Sequence, residues 1–167
     1  MKGVIIVLNE KVIKLLNEQV NKELYSAYLY LDMANFYTNK GLNGFAQWFK
    51  VQAKEEVSHA MKFQDYLQDN GLPVELDAIA KPHGVFEDLK APLEMALEHE
   101  KFVTKSIHTI YEEAAKVKDY RTMEFLNWFV KEQLEEEKNA EDLITRYELS
   151  KNSLFVLDHY LGKREDE

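Results

Sequence analysis

The sequence has no cysteine. That excludes disulfides, thiolate zinc sites, iron–sulfur clusters and rubredoxin-type iron, and it fits an expected cytoplasmic location. Chain breakers are scarce, with 6 Gly and 3 Pro in 167 residues. A chain with so few of them, rich in Glu, Leu, Ala and Lys, is expected to be helical rather than all-β. Long apolar runs are missing too. No segment approaches the ~18 apolar residues of a membrane span, so no membrane partner is expected. The run Val4 to Leu8 after Lys2 is too short for a signal-peptide core and has no small-residue cleavage site behind it. It reads as an extended arm packed on the domain. Positive charge is outnumbered: 21 Lys+Arg face 30 Asp+Glu, for a net charge of −9. There is no basic footprint for nucleic acid, and the acidic balance suits a protein that attracts cations.

What is present is helical periodicity. With 46% hydrophobic and 31% charged residues, the chain has the size and composition of one domain, 1–167, with a sizeable core. Asn9 is placed to cap a helix running to about Asn39, with Leu16, Val20, Glu23, Ala27, Tyr30 and Ala34 on its inward stripe. Gly41 and Gly44 bracket the turn into a second helix, about Asn43 to Asn70, with stripe Phe45, Phe49, Gln52, Glu56, His59, Phe63 and Leu67. Asn70-Gly71 ends it as a left-handed cap would. A connection of about 20 residues follows, long enough to cross a whole bundle. Pro92 suits the first turn of a third helix, about 91–117, with stripe Leu93, Leu97, Glu100, Val103, Ile107, Ile110 and Ala114. Asp119 is placed to cap a fourth, about 120–149, with stripe Leu126, Phe129, Gln133, Glu136, Ala140, Leu143 and Tyr147. Asn152 or Ser153 begins a short fifth helix through Leu161, whose apolar Leu154, Phe155, Leu157 and Leu161 are expected to dock on symmetry mates. The charged tail Lys163–Glu167 is expected to fray. The expected fold is all-α, a four-helix bundle with one long crossover between helices two and three and a short fifth C-terminal helix.

The polar residues on these stripes form a pattern that occurs twice. Glu23 is followed 33 residues later by Glu56, and His59 completes Glu-x-x-His. Glu100 is followed 33 residues later by Gln133, and Glu136 completes Gln-x-x-Glu. The two sets are offset by 77 residues throughout: 23 to 100, 56 to 133 and 59 to 136. One Glu-x-x-His among 21 Glu and five His is unremarkable by chance; a second set at the same spacings is not. A Glu from each of two helices plus an i, i+3 pair from each of the other two is a di-metal ligand pattern inside a helix bundle. Packing would bring Glu23, Glu56, Glu100 and Glu136 to one level, with no Lys or Arg on the stripes to offset them. Two divalent ions balance four carboxylates, with His59 and Gln133 neutral, and oxygen-rich ligands with one imidazole suit iron or manganese.

Other residues are less decisive on spacing alone. Glu55 and Glu132 precede the ligand pairs by one residue, a turn of about 100° to the side. With Glu135 and Glu136 they either hold a third ion or belong to a solvated acidic face, and Glu137 is assigned to that face. Tyr30 lies two turns beyond Glu23, where side chains lean toward the helix N-terminus; it reaches the metal shell or is a satisfied core tyrosine. Trp48 and Trp128 read as core. His83, His99, His108 and His159 read as structural or surface residues.

The residues that carry this pattern resemble those of prokaryotic non-haem ferritins over essentially the whole chain. The carrying segments are LNEQVNKELYSAYLY around 15–30, QAKEEVSHAMKF, EHEKFVTKSI and FLNWFVKEQLEEE. The resemblance implies a cage of twenty-four subunits that oxidises Fe²⁺ with O₂ or peroxide at a di-iron centre and stores ferric mineral, a ferroxidase activity. It implies one iron at Glu23, Glu56 and His59. Glu56 would bridge to a second iron at Glu100 and Glu136, with Gln133 beside it and Tyr30 next to the centre. A third iron would use Glu55, Glu132, Glu135 and Glu136. The fifth helix would line four-fold axes. Bacterioferritin differs: its second half keeps Glu-x-x-His where this chain has Gln133 and Glu136, and its haem-ligating methionine is replaced by Val57, so no haem is expected. A passive metal-binding scaffold and a di-iron oxygenase acting on an organic substrate are the competing readings.

Overall fold

A computed structural model describes residues 8–82 and 85–165. Val4 to Val7, His83, Asp166 and Glu167, about which the sequence carried expectations, lie outside the described residues; Leu8 is buried. The elements are α1 (Glu10–Asn39), α2 (Asn43–Asp69), α3 (Ala91–Lys116), α4 (Tyr120–Leu149) and α5 (Leu154–Leu161). Their boundaries follow local chemistry. Asn9 accepts a hydrogen bond from the Lys11 amide at 2.9 Å, and Asp119 accepts one from the Thr122 amide at 3.0 Å, each satisfying a donor that helix geometry leaves unpaired. Gly71 ends α2 at φ +70°, where a side chain would be strained. Asp88 accepts from the Lys90 and Ala91 amides, both at 2.8 Å, at the entry to α3.

The core comes in two apolar clusters. Val12, Leu16, Val20, Phe63, Leu67, Val103, Ile107, Ile110, Leu126 and Phe129 fill one end of the bundle. Leu29, Tyr30, Met33, Tyr37, Phe45, Phe49, Leu93 and Leu143 are among those that fill the other. The order in which each helix visits the clusters fixes its direction. α1 and α4 start at the first end; α2 and α3 start at the second. The connections α1–α2 and α3–α4 are therefore short turns, while the α2–α3 connection must run the length of the bundle, about 40 Å for a 27-residue helix. That crossover runs beside α1. Asn21 pairs with the Glu75 carbonyl at 2.9 Å and the Asp77 amide at 2.8 Å, and Asn17 accepts from the Glu75 amide at 2.9 Å. Further along, the Tyr37 hydroxyl donates to the Leu89 carbonyl at 2.6 Å.

Two details of the stripes differ from the expected ones. On α3 the buried position is Ala96, with Leu97 half-buried. Tyr147 on α4 is also half-buried, packed against the edge of the second cluster. The fifth helix differs more. Leu157 and Leu161 pack into this chain's own second cluster, while Phe155 remains 82% exposed. Docking is tight: a Cβ on Gly44 would lie 1.6 Å from the Asp158 carbonyl oxygen. Asp158 Oδ1 accepts from the Phe45 amide at 3.0 Å. α2 has no side-chain cap of its own, so a carboxylate from α5 supplies one. Nor does the whole tail fray. Arg164 turns back onto α2 and reaches Gln52 and Glu55.

Candidate metal centre

Between the two apolar clusters lies a polar layer. Each helix contributes at the level where its stripe changes from apolar to acidic: Glu23 from α1, Gln52, Glu56 and His59 from α2, Glu100 from α3, and Gln133 and Glu136 from α4. All seven are buried. The ligand atoms fall into three groups, each with its members within 4.8 Å of one another: Glu23, Glu56 and His59; Glu56, Glu100 and Glu136; and His59, Glu132 and Glu136. Glu56 belongs to the first two groups, as a shared carboxylate between two ions would. His59 Nδ1 lies 3.5 Å from Glu56 Oε2 and its Nε2 lies 3.7 Å from Glu132 Oε1. A neutral imidazole has one lone pair, so His59 serves one of those sides at a time.

The electrostatics call for a cation. Burial, reinforced by the neighbouring carboxylates, holds Glu23, Glu56 and Glu136 well above the usual carboxylate range, and burial holds Glu100 above it. Burial pushes His59 down, but the nearby carboxylates of Glu132, Glu23 and Glu136 outweigh that and leave it above its ordinary value. Keeping each carboxylate charged in this layer would cost several kcal/mol, and four together rival a domain's ~5–15 kcal/mol net stability. Without a cation, protons must occupy the layer. Glu23 Oε2 is buried with no hydrogen-bond partner. A metal ion fits that orphaned atom, and the donor set of carboxylate oxygens with one imidazole suits a hard-to-borderline divalent ion.

The remaining hydrogen bonds orient the ligands. Tyr30 Oη donates to Glu100 Oε1, which joins the two uses left open for it: a buried core ring whose hydroxyl ends on a candidate ligand. Gln133 Nε2 lies 3.1 Å from Glu100 Oε2 and 3.3 Å from Thr104 Oγ1. Thr104 in turn donates to Glu137 at 2.5 Å, so Glu137 is a half-buried support rather than part of a solvated face. Gln19 donates to Glu23 at 2.8 Å. Gln52 donates to Glu56 at 3.0 Å and to Glu136 at 2.8 Å. Sequence spacing passed over both glutamines as ligand supports, although each lies four residues before a ligand on the same helix face. The contribution of Arg164 left no signal in the sequence.

A cavity of about 540 Å³ opens onto the layer between α2 and α4. Glu55, Glu132, Glu135, Trp48, Trp128 and Arg164 are among its lining residues. The structure brings Glu132 to His59 and Glu136. Glu135 stays exposed on the rim, and Glu55 is drawn to Arg164 at 2.6 Å; neither joins the three close groups. Trp48 packs against the second cluster as expected of a core residue, whereas Trp128 does not belong to the core. Trp128 is 40% exposed, and Trp48 is half-buried; each presents a ring to the cavity and a cation over its face, Lys62 and Arg164 respectively. His99 is structural, as expected: it meets Ser26 Oγ at 2.7 Å, and burial lowers its pKa to about 4. His108 and His159 are exposed.

Comparison with known proteins places the chain in a family. The family model described as a ferritin-like domain matches residues 13–150. The chain belongs to the ferritin-like family. Within it, the chain is 40% identical over 157 residues to a bacterial non-heme ferritin of Campylobacter jejuni, covering 92% of this chain and 94% of that one. It is 38% identical to a bacterial non-heme ferritin of Staphylococcus saprophyticus, covering 94% and 96%. Among solved structures it superimposes on an open-pore ferritin from Archaeoglobus fulgidus with a TM-score of 0.92 at 42% identity, covering 95% of this chain and 98% of that one. A closed form engineered from the same ferritin gives 0.93 at 41%, covering 96% and 100%. No helix among the described residues is long and apolar enough to cross a membrane.

Proposed function

We propose that this chain, as one ferritin-like domain over residues 1–167, is the subunit of an iron-storing cage that oxidises its own cargo. The observation that carries the reading is the layer of four buried carboxylates and one imidazole, with Glu56 shared between two close groups. Iron is the substrate. Glu23, Glu56 and His59 would receive one Fe²⁺, and Glu56, Glu100 and Glu136 a second, with Gln133 holding Glu100 in place. Each ion gives up one electron. O₂ takes the pair and, with two protons, leaves as hydrogen peroxide; with peroxide as oxidant, the pair and two protons yield two waters. The layer's own carboxylates release protons as Fe²⁺ enters, because the cation removes the reason for holding them. Tyr30 and Gln133, one on each oxygen of Glu100, fix the plane of that carboxylate. With two carboxylates and no histidine of its own, the second position is suited to passing oxidised iron onward.

The cavity supports the ferroxidase reading over an oxygenase. Its wall is dominated by charged side chains, Glu55, Glu132, Glu135, Lys54, Lys62 and Arg164, which suit ions in transit rather than an apolar substrate. Glu132 and Glu136, with Glu55 and Glu135 from the cavity wall, would form a third iron position. Assembly into a cage of twenty-four is supported by likeness to ferritins and by apolar residues left in solvent, Tyr28 and Leu31 on α1, Leu76 and Ile79 in the crossover and Phe155 on α5. The test is aerobic addition of Fe²⁺ with no organic substrate. Wild-type protein should develop ferric absorbance and become a dense, iron-loaded particle. Glu56→Ala should slow the initial oxidation by at least about 100-fold, the upper end of the cost of losing an outer-shell partner alone, with helix content retained. Wild-type-like oxidation in that variant would refute the site assignment.

A further inference from the structure

Gln52 is 1% exposed and touches both ends of the second-ion group. Its Nε2 donates to Glu56 Oε1 at 3.0 Å and to Glu136 Oε2 at 2.8 Å. Its Oε1 accepts from Arg164 Nη1 at 3.0 Å. Carboxylates accept and a guanidinium donates, so this amide has one workable orientation. Reversed, it would set a carbonyl oxygen against two carboxylates and an NH₂ group against a cation. Arg164 is itself held. Its Nη2 donates to Glu55 at 2.6 Å, its Nη1 lies 3.4 Å from the Trp48 carbonyl, and its guanidinium sits 4.4 Å from the centre of the Trp48 ring. α1 repeats the arrangement with different parts. Gln19 donates to Glu23 at 2.8 Å, while its own oxygen accepts from Ser106 at 2.7 Å, and Ser106 accepts from Lys22 at 2.7 Å. In both cases a glutamine four residues before a ligand turns its oxygen toward a chain that ends in a cation. The 77-residue repeat places Ala96 and Phe129 at the matching positions of the second half, so the device belongs to α1 and α2 alone.

Building on the iron reading above, we infer that Arg164 is a positioning residue for the second ion, acting through the Gln52 amide. Gln52 fixes one oxygen of Glu56 and one of Glu136; Glu136 belongs to the second-ion group and not to the first, so the second step depends on both contacts. Arg164 locks the amide that makes them. It arrives from beyond α5, so the docking of α5 at Gly44 and Phe45 is coupled to the geometry of a layer in the middle of the bundle.

The test uses stepwise titration of the assembled protein with Co²⁺ without oxygen, read by its visible absorption bands. Wild type should bind two ions in the layer. Arg164→Gln should weaken the second step by about 10-fold, the low end for loss of an orienting partner, and leave the first within about twofold. Arg164→Lys keeps one donor for Gln52 and should restore most of the loss. Gln52→Met should weaken the second step as much as Arg164→Gln does, and the double variant no further, because the two act in series. Should Arg164→Gln fail to assemble, Arg164→Lys against Gln52→Met still decides the matter, since series action requires the lysine variant to bind better. An unchanged second step in Arg164→Gln, equal loss at both steps, or additive losses in the double variant would overturn the inference. Wild-type protein that binds no ion in the layer would overturn the iron reading itself, and this inference with it.

Discussion

Glu56 joins the two proposed iron positions. It receives one arm of Gln52, and its neighbours on both sides are carboxylates. In the metal-free protein such residues retain protons that the unfolded chain would release, because burial holds Glu23, Glu56 and Glu136 well above their ordinary values. A group whose pKa is raised by folding stabilises fully below the ordinary carboxylate range and loses that contribution as pH rises through its folded value. Metal-free protein should therefore melt at progressively lower temperature as pH rises from about 5 toward 8. Glu56→Gln should flatten that slope, and a divalent ion should abolish it while releasing protons. Calorimetric melts across pH, with and without Mn²⁺, check this; a metal-free melting temperature that rises steadily to pH 8 would show that the layer holds no such protons.

Among the elements, α5 is the one whose role depends on contacts that spacing does not show. The four long helices were legible because apolar stripes at helical spacing, Asn9, Asp119, Pro92 and Gly71 each act locally. The di-metal set was legible because the two halves carry it at one spacing. α5 was legible as a helix, but its partner was not: Gly44 accommodates Asp158 across 114 residues of chain, and a missing Cβ on one helix carries no record of what fills the space. The same holds for Arg164, whose long side chain finds Gln52 and Glu55 only after α5 has docked, and for Trp128, whose size suggests core while the cavity between α2 and α4 exposes it. Asp158→Ala removes the cap on α2 and should cost about 1 kcal/mol. Gly44→Ala meets backbone and should cost more, by forcing α5 outward. Denaturant midpoints for the two variants should fall in that order; a neutral Gly44→Ala would mean that α5 does not sit where the structure places it.

For the whole molecule, two apolar clusters hold a layer that is unfavourable to fold without a cation, and an amphipathic exterior leaves aromatic and aliphatic side chains in solvent. Both features gain their sense from iron and from assembly. Truncation after Ser150 removes Asp158, the Leu157 and Leu161 packing, and exposed Phe155 together. It should lower the melting temperature and give particles smaller than the parent by size exclusion and mass measurement, whereas an unchanged, equally stable particle would make α5 dispensable. The central claim, that the layer takes up two iron ions sharing Glu56, is most directly tested by crystals soaked in Fe²⁺ without oxygen and measured at the iron absorption edge. Two anomalous peaks are expected in every chain, one among Glu23, Glu56 and His59 and one among Glu56, Glu100 and Glu136, with any third peak near Glu132 and Glu136. Iron bound at the surface alone, with the layer empty of metal, would contradict the account.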